Sequence, residues 1–326
     1  MRIAVTGSIA TDHLMTFPGR FTDSLVADKL DKVSLSFLVN HLDIRRGGVA
    51  ANIAFGMGCL GLRPVLVGAV GADFVDYRSW LDRHGVDTAS VHVSDVHHTA
   101  RFICTTDDEQ NQIASFYPGA MTEARTIELG PIEQRLGGLD LVLVGPDDPD
   151  AMVRHTDECR QRGIAFAADP SQQLARMDGA EIRQLIDGAA YLFTNEYEAA
   201  LTEQKTGWGA DEILRRVQTR VTTRGSAGAV VERLGEPEVC VDVPQEECKA
   251  DPTGVGDGFR AGFVTGLAWG LSHERSAQLG CLLATYVLET VGTQEYRFES
   301  QEFVQRFGKA YGAEGAEEVA RHLTPR

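Results

Sequence analysis

The chain has 326 residues, 43% of them hydrophobic, and a formal net charge of −16. That length can bury a substantial core, either as two domains or as one large α/β domain with an appendage. The acidic balance argues against a broad nucleic-acid or anionic-membrane surface, and no run of about 18 apolar residues suggests a membrane span. An anionic ligand would need a local positive potential from helix ends, a few Arg or Lys, or a metal ion. Six scattered cysteines (Cys59, Cys104, Cys159, Cys240, Cys248, Cys281) form no CxxC pair. They fit reduced thiols in a cytoplasmic protein better than disulfides or zinc.

Residues 3–5 predict a first strand, and the opening run is too short for a signal-peptide core. Gly7-Ser8 ends that strand and Thr11-Asp12-His13 follows. Ser8 and Asp12 would then stand at the C-terminal edge of a sheet, where α/β proteins bind ligands, although Asp12 also suits an ordinary turn. Residues 33–39 alternate imperfectly and read as a strand. Arg46-Gly47-Gly48-Val49-Ala50-Ala51-Asn52 opens a helix, with Asn52 one turn in, placed for a ligand contact or for packing. Gly56-Met57-Gly58-Cys59-Leu60-Gly61 spells GxGxxG, but it falls within or at the end of that helix. Close helix packing therefore explains it better than a dinucleotide site.

Residues 65–70 read as a buried strand and 73–84 as a helix. The runs 100–106 and 112–117 flank a polar turn and predict a hairpin. With the 33–39 strand it would make a small sheet set apart from the main one. Phe102 and Phe116 could hold a flat ligand there or pack within that sheet. His92, His97 and His98 lack ligand spacing and read as surface residues.

From residue 139 the rhythm becomes regular. The runs 139–145, 164–168, 191–194 and 220–223 read as short strands, the first three separated by segments of helical length. This implies a mainly parallel sheet covered by helices on both faces. Polar residues follow the strands: Asp169-Pro170-Ser171-Gln172-Gln173, Asn195-Glu196-Tyr197-Glu198 and Thr223-Arg224-Gly225-Ser226-Ala227-Gly228. Together they could build a site, while each alone suits a cap or a glycine hairpin. In Asp251-Pro252-Thr253-Gly254-Val255-Gly256-Asp257-Gly258-Phe259, three glycines and a carboxylate crowd the start of a helix. The turn suits a phosphate. Asp257 there is either a base taking a proton from an attacking hydroxyl or an acid offsetting the helix dipole.

Four pieces in chain order carry a resemblance: Gly47-Gly48-Val49-Ala50-Ala51-Asn52, Asn195-x-x-Glu198, Thr223-x-Gly225-x-x-Gly228 and the 251–257 turn. Together they resemble the ribokinase family, the phosphofructokinase-B-type carbohydrate kinases. Residues 5–13, 112–121 and 169–173 are most similar to the bacterial adenosine kinases of that family. The resemblance implies a three-layer α/β/α sandwich over 1–326, with a mainly parallel central sheet. It also implies a small β-sheet lid, formed by insertions at about 14–45 and 92–119. MgATP would be the phosphoryl donor and the adenosine 5′-hydroxyl the acceptor, giving AMP and ADP in purine salvage.

Matched position by position, the resemblance makes Asp257 the general base and the Gly254, Val255 and Gly256 amides an anion hole. Ser8, Asp12, Gly48, Asn52, Gln172 and Gln173 would bind the nucleoside, mainly at its sugar, with Phe102 and Phe116 sandwiching the base. Asn195 and Glu198 would order magnesium and its waters. Asn195, Gly256, Thr223, Arg224, Gly225, Ser226, Ala227 and Gly228 would contact ATP. A potassium site near Asp251 is common in the family, and an exposed lid edge could pair two subunits.

Two positions depart from the family pattern. Val255 replaces a small residue, which should be tolerated because the amide does the work. Ser171 stands where sugar kinases often carry Asn. Other nucleoside or sugar kinases of the family remain alternatives, as does an inactive nucleoside-binding protein.

Overall fold

The computed structural model describes residues 1–24 and 36–323. Strand β1 (Ile3–Thr6) leads into β2 (Ala10–Thr16), a short helix α1 (Phe21–Ser24) and β3 (His41–Gly47). Helix α2 (Val49–Cys59) precedes β4 (Val65–Val67), β5 (Ala69–Gly71), α3 (Val75–Arg83) and β6 (His92–Ser94). The hairpin β7 (Ala100–Thr106) and β8 (Gln112–Tyr117) comes next. Then α4 (Leu129–Leu136), β9 (Leu141–Val144), α5 (Pro149–Arg162), β10 (Ala165–Ala168), α6 (Gly179–Ile186) and β11 (Tyr191–Asn195) alternate. Helices α7 (Glu196–Thr206) and α8 (Ala210–Arg216) lead to β12 (Thr219–Thr223), β13 (Ala229–Glu232) and β14 (Val239–Val241). Four helices close the chain: α9 (Val255–Ala268), α10 (His273–Leu288), α11 (Ser300–Tyr311) and α12 (Ala313–Ala320). Among the described residues no helix is long and apolar enough to cross a membrane.

The main sheet has the order β14-β13-β12-β11-β10-β9-β1-β4, parallel from β4 to β12 and antiparallel over its last two pairings. Alternation along the strands sorts side chains into two cores. Ile3, Val5, Leu141 and Leu143 join α2, α9 and α10 on one face. Ala4, Val142 and Val144 join α4, α5 and α6 on the other. The result is the expected three-layer α/β/α arrangement.

Local signals explain the helix limits. In α5, Asp148 caps the N-terminus through Ala151 N, Pro149 opens the first turn, and Gly163 ends the helix in a left-handed conformation. Helices α9 and α10 touch backbone to backbone. A Cβ on Gly262 would come within 2.6 Å of the Leu279 carbonyl oxygen, and one on Gly280 within 2.7 Å of that of Phe259.

A second sheet, ordered β3-β2-β7-β8, overhangs the C-terminal edge of the first. Its composition corrects one expectation. Residues 33–35 of the anticipated strand lie outside the described residues, and 36–39 take no strand. Phe37 instead packs on Phe17 and Phe21, with ring centroids 4.9 Å from each. The place beside β2 goes to the more polar β3. The expected single strand over 65–70 is also split at Gly68, where a Cβ would lie 2.6 Å from the Gly7 carbonyl oxygen. The second half, β5, pairs with β6 in a sheet of its own. Gly56 and Gly58 lie inside α2, and a Cβ on Gly58 would strike the His84 carbonyl oxygen at 2.0 Å, so the GxGxxG run is a packing motif.

Candidate active site

A cavity of about 750 Å³ opens between the small sheet and the C-terminal ends of β1, β9, β10, β11 and β12. The small sheet contributes a transverse row. Arg45, Asp12, Phe102 and Phe116 are successive register partners on β3, β2, β7 and β8, and all four line the cavity. Directly opposed residues share a face, so this row presents a cation, an acid and two rings to one space. Ala10 and Leu14 also line it, two residues either side of Asp12. Burial pushes the Asp12 carboxyl up to about 6; Arg45 pulls it down, while Asp251 and Glu295 add to the rise.

The N-terminus of α2 forms the next wall. Ser8 Oγ accepts from Val49 N at 3.0 Å, and Gly48 precedes the helix with φ 93°. A Cβ on Gly48 would sit 2.6 Å from Ser8 O and Ala10 N, so only glycine fits. One turn along, Asn52 Nδ2 donates to Asp257 Oδ2 at 2.9 Å.

Asp257 itself stands in the first turn of α9, after Gly254 at φ 78°. A side chain on Gly254 would also meet Thr293 Cγ2 at 2.9 Å. Asp251 clamps this turn: Oδ1 accepts from Thr253 N at 2.9 Å and Oδ2 from Gly292 N at 3.1 Å. Arg45 lies 3.7 Å from Asp251 Oδ2. Gly254 and Gly256 line the cavity, and the first-turn amides have no intrahelical acceptor. Val255 N makes only a long 3.4 Å bond to Pro252 O, and its side chain does not reach the cavity. Burial raises the Asp257 carboxyl to about 6 against the opposing pull of Arg260 and the Asn52 hydrogen bond. The arrangement offers an anion a helix start and offers a hydroxyl a carboxylate that titrates near neutrality.

The far wall comes from the β10, β11 and β12 ends. Ser171 takes a left-handed φ of 44°, and its hydroxyl donates to Gln172 Oε1 at 2.7 Å. Gln173 is buried and donates to the Asp147 carbonyl at 2.7 Å. Both glutamines line the cavity. Asn195 and Glu198 line it too while forming a capping box on α7: Asn195 Oδ1 accepts from Glu198 N, and Glu198 Oε2 from Asn195 N, each at 2.8 Å. Glu198 Oε1 is not used by the box. A carboxylate oxygen on the cavity wall suits a hydrated magnesium ion. Of the glycine turn after β12, Thr223 and Gly225 reach the cavity. Arg224, Ser226, Ala227 and Gly228 do not line it, because the segment closes the antiparallel β12–β13 hairpin, with Arg224 N bonded to Gly228 O at 2.7 Å.

Several lining residues were not anticipated: Arg45, Arg46, Arg176, Gly292 and Thr293. The last two sit in a short connection after α10 whose local pattern carries no signal; only the fold brings it to Gly254. Arg45 and Arg46 lie on β3, although the sequence suggests that Arg46 opens the following helix. Among the described residues, Arg45, Arg46 and Arg260 approach Asp251, Glu295 and Asp169, whereas Arg176 forms no ion pair.

The pattern of the pfkB family carbohydrate kinases matches residues 7–299. A nucleoside kinase of Burkholderia thailandensis, solved in complex with inosine, is 36% identical; the match covers 95% of this chain and 98% of that one, with a TM-score of 0.82. A nucleoside kinase of Methanothermobacter thermautotrophicus is 29% identical over 293 residues, 88% of this chain and 92% of the relative. The Methanocaldococcus jannaschii nucleoside kinase shares the fold, with a TM-score of 0.81 at 24% identity over 95% of this chain and 99% of its own. On the family match and this fold, the chain belongs to the pfkB family of carbohydrate kinases, with a ribokinase-like architecture.

Proposed function

We propose that this protein is an ATP-dependent nucleoside kinase that phosphorylates the 5′-hydroxyl of a purine nucleoside, with adenosine as its acceptor. One observation carries the reading: the Asp12–Phe102–Phe116 row faces the Asp257 glycine turn across a single cavity. Rings suit a base, a carboxylate suits ribose hydroxyls, and the turn suits a transferring phosphoryl group. Likeness to the nucleoside kinase bound to inosine supports the acceptor class.

In this reading Asp257 orients the 5′-hydroxyl and takes its proton as the bond to phosphorus forms. Its Oδ2 is held by Asn52, which leaves Oδ1 for the hydroxyl. The first-turn amides of α9 receive charge from the equatorial oxygens, each worth about 3 kcal/mol in the transition state. Asn195 and Glu198 would hold magnesium, which neutralises the ATP phosphates when bound. A monovalent cation near Asp251 would add positive potential to the turn that the Asp251 oxygens clamp. The small sheet would act as a lid that excludes water, and its exposed edge β8 would pair two copies.

The test is ADP release with MgATP over adenosine, inosine, pyrimidine nucleosides, ribose and fructose 6-phosphate. Turnover with adenosine above the rest is expected. Preference for inosine would move the specificity, preference for a sugar would overturn the nucleoside reading, and no acceptor-dependent release would overturn the kinase reading.

A further inference from the structure

The amide of Asn52 could meet Asp257 with either end, and its sense is fixed by Tyr77 and Gln294, which lie 217 positions apart and do not line the cavity. Asn52 Oδ1 accepts from Gln294 Nε2 at 2.8 Å and lies 3.0 Å from the Thr293 hydroxyl. Gln294 Nε2 also donates to the Tyr77 hydroxyl at 2.5 Å, and Tyr77 in turn donates to the Gly47 carbonyl at 2.9 Å. The Thr293 hydroxyl reaches the Arg46 carbonyl at 2.9 Å. Gln294 and Tyr77 are both buried.

Donor and acceptor inventory allows one assignment. A backbone carbonyl can only accept, so the single Tyr77 proton goes to Gly47 and its oxygen must accept from Gln294. The two Gln294 amide protons then serve Tyr77 and Asn52 Oδ1. That turns the Asn52 N–H toward Asp257 Oδ2. Reversing Gln294 would set its carbonyl oxygen against two acceptors. The present sense leaves Gln294 Oε1 buried without a partner among the described residues.

We propose that Tyr77 and Gln294 are positioning residues that relay the polarity of the Gly47 carbonyl, at the root of strand β3, through Asn52 to Asp257. They act on the base through Asn52 and touch no substrate. The base and the root of the small sheet thereby share one hydrogen-bond chain. This rests on the reading of Asp257 as the base of a nucleoside kinase.

The experiment measures steady-state kinetics with MgATP and adenosine or inosine for Tyr77→Phe, Gln294→Met and their double variant, with Asp257→Asn alongside. Expected is a kcat loss of about 10- to 100-fold in each single variant with little change in either KM. The double variant should be no worse than Gln294→Met, because both changes cut one chain. Wild-type kcat in the single variants, or a double loss equal to the product of the single losses, would overturn the relay. If Gln294→Met fails to fold, Tyr77→Phe, which removes one hydroxyl without changing ring volume, decides alone. An Asp257→Asn enzyme with normal turnover defeats the reading of the base; an inactive one beside an unaffected Tyr77→Phe defeats only the relay.

Discussion

Arg260 and Asp169 form a buried ion pair three residues along α9 from Asp257, with Nη2 donating to Oδ1 at 2.7 Å. A second contact, Nε to Oδ2 at 2.6 Å, lies off the hydrogen-bond direction. Asp169 looks like a cavity residue at a strand end, yet it turns inward and pairs with Arg260 one turn along the helix from Asp257. Removing it would strand a buried guanidinium. Asp169→Ala should cost about 3–5 kcal/mol of stability by urea unfolding. A loss below 1 kcal/mol would show that the pair is not held as described.

Arg260 also lowers the Asp257 carboxyl against the rise caused by burial. As the proposed base, Asp257 must be ionised to accept a proton, so kcat/KM should fall as pH drops through about 6. Asp12, also held up at about 6, should steepen the fall beyond one proton. In Arg260→Met the acid limb should move to higher pH, because one stabiliser of the carboxylate is gone. An acid limb that stays in place would separate the profile from Asp257.

Asp147 sits behind Gln173, wholly buried, with Oδ2 lacking a partner among the described residues. Burial pushes its carboxyl from the ordinary 3.8 up to about 8. A raised folded value means that folding favours the protonated form. Its contribution is therefore complete below about pH 4 and is lost as pH rises through about 8. Asp147→Asn should raise Tm at pH 8 by a few degrees, with no gain near pH 4. Equal effects at both pH values would contradict this protonation.

Arg176 lines the cavity without a carboxylate partner among the described residues, in a chain of net charge −16. Arg176→Ala should weaken ATP use by about tenfold in kcat/KM, the scale of one charge-assisted hydrogen bond to phosphate. An unchanged ATP dependence would place the guanidinium away from the phosphates.

Gly58→Ala tests the packing account of the GxGxxG run. The added methyl meets the His84 carbonyl, so about 1–3 kcal/mol of stability should be lost by thermal unfolding while nucleotide affinity of the folded protein is kept.

How much of this was legible depends on distance along the chain. Short apolar runs ending in polar residues mark β9, β10 and β11 because a strand covered on both faces needs nothing else. Gly48, Asn52, Gly254 and Asp257 stand out because backbone close to a ligand demands particular residue types in a short span. Strand β3 escapes notice because its short alternation, Leu42 and Ile44 between polar residues, buries neither apolar side chain, and the apolar 36–39 segment nearby carries hydrophobicity that serves a phenylalanine cluster. Gln294 and Arg260 acquire meaning only from partners 242 and 91 positions away. Separations of that kind leave no periodic trace.

The glycine seam between α9 and α10 has a mechanical consequence. Side chains in a helix contact can rotate or slide, but two backbones in direct touch offer nothing that yields. The start of α9 lies roughly 10 Å up the axis from Gly262, at 1.5 Å per residue. The turn is thus one end of a short, stiff beam held at its middle, and the Asp251 bonds hold the turn itself. Enlarging a residue at the clamp would tilt that end by a fraction of an ångström. Damage there would surface first as a slower catalyst, well before it surfaced as a protein that fails to fold.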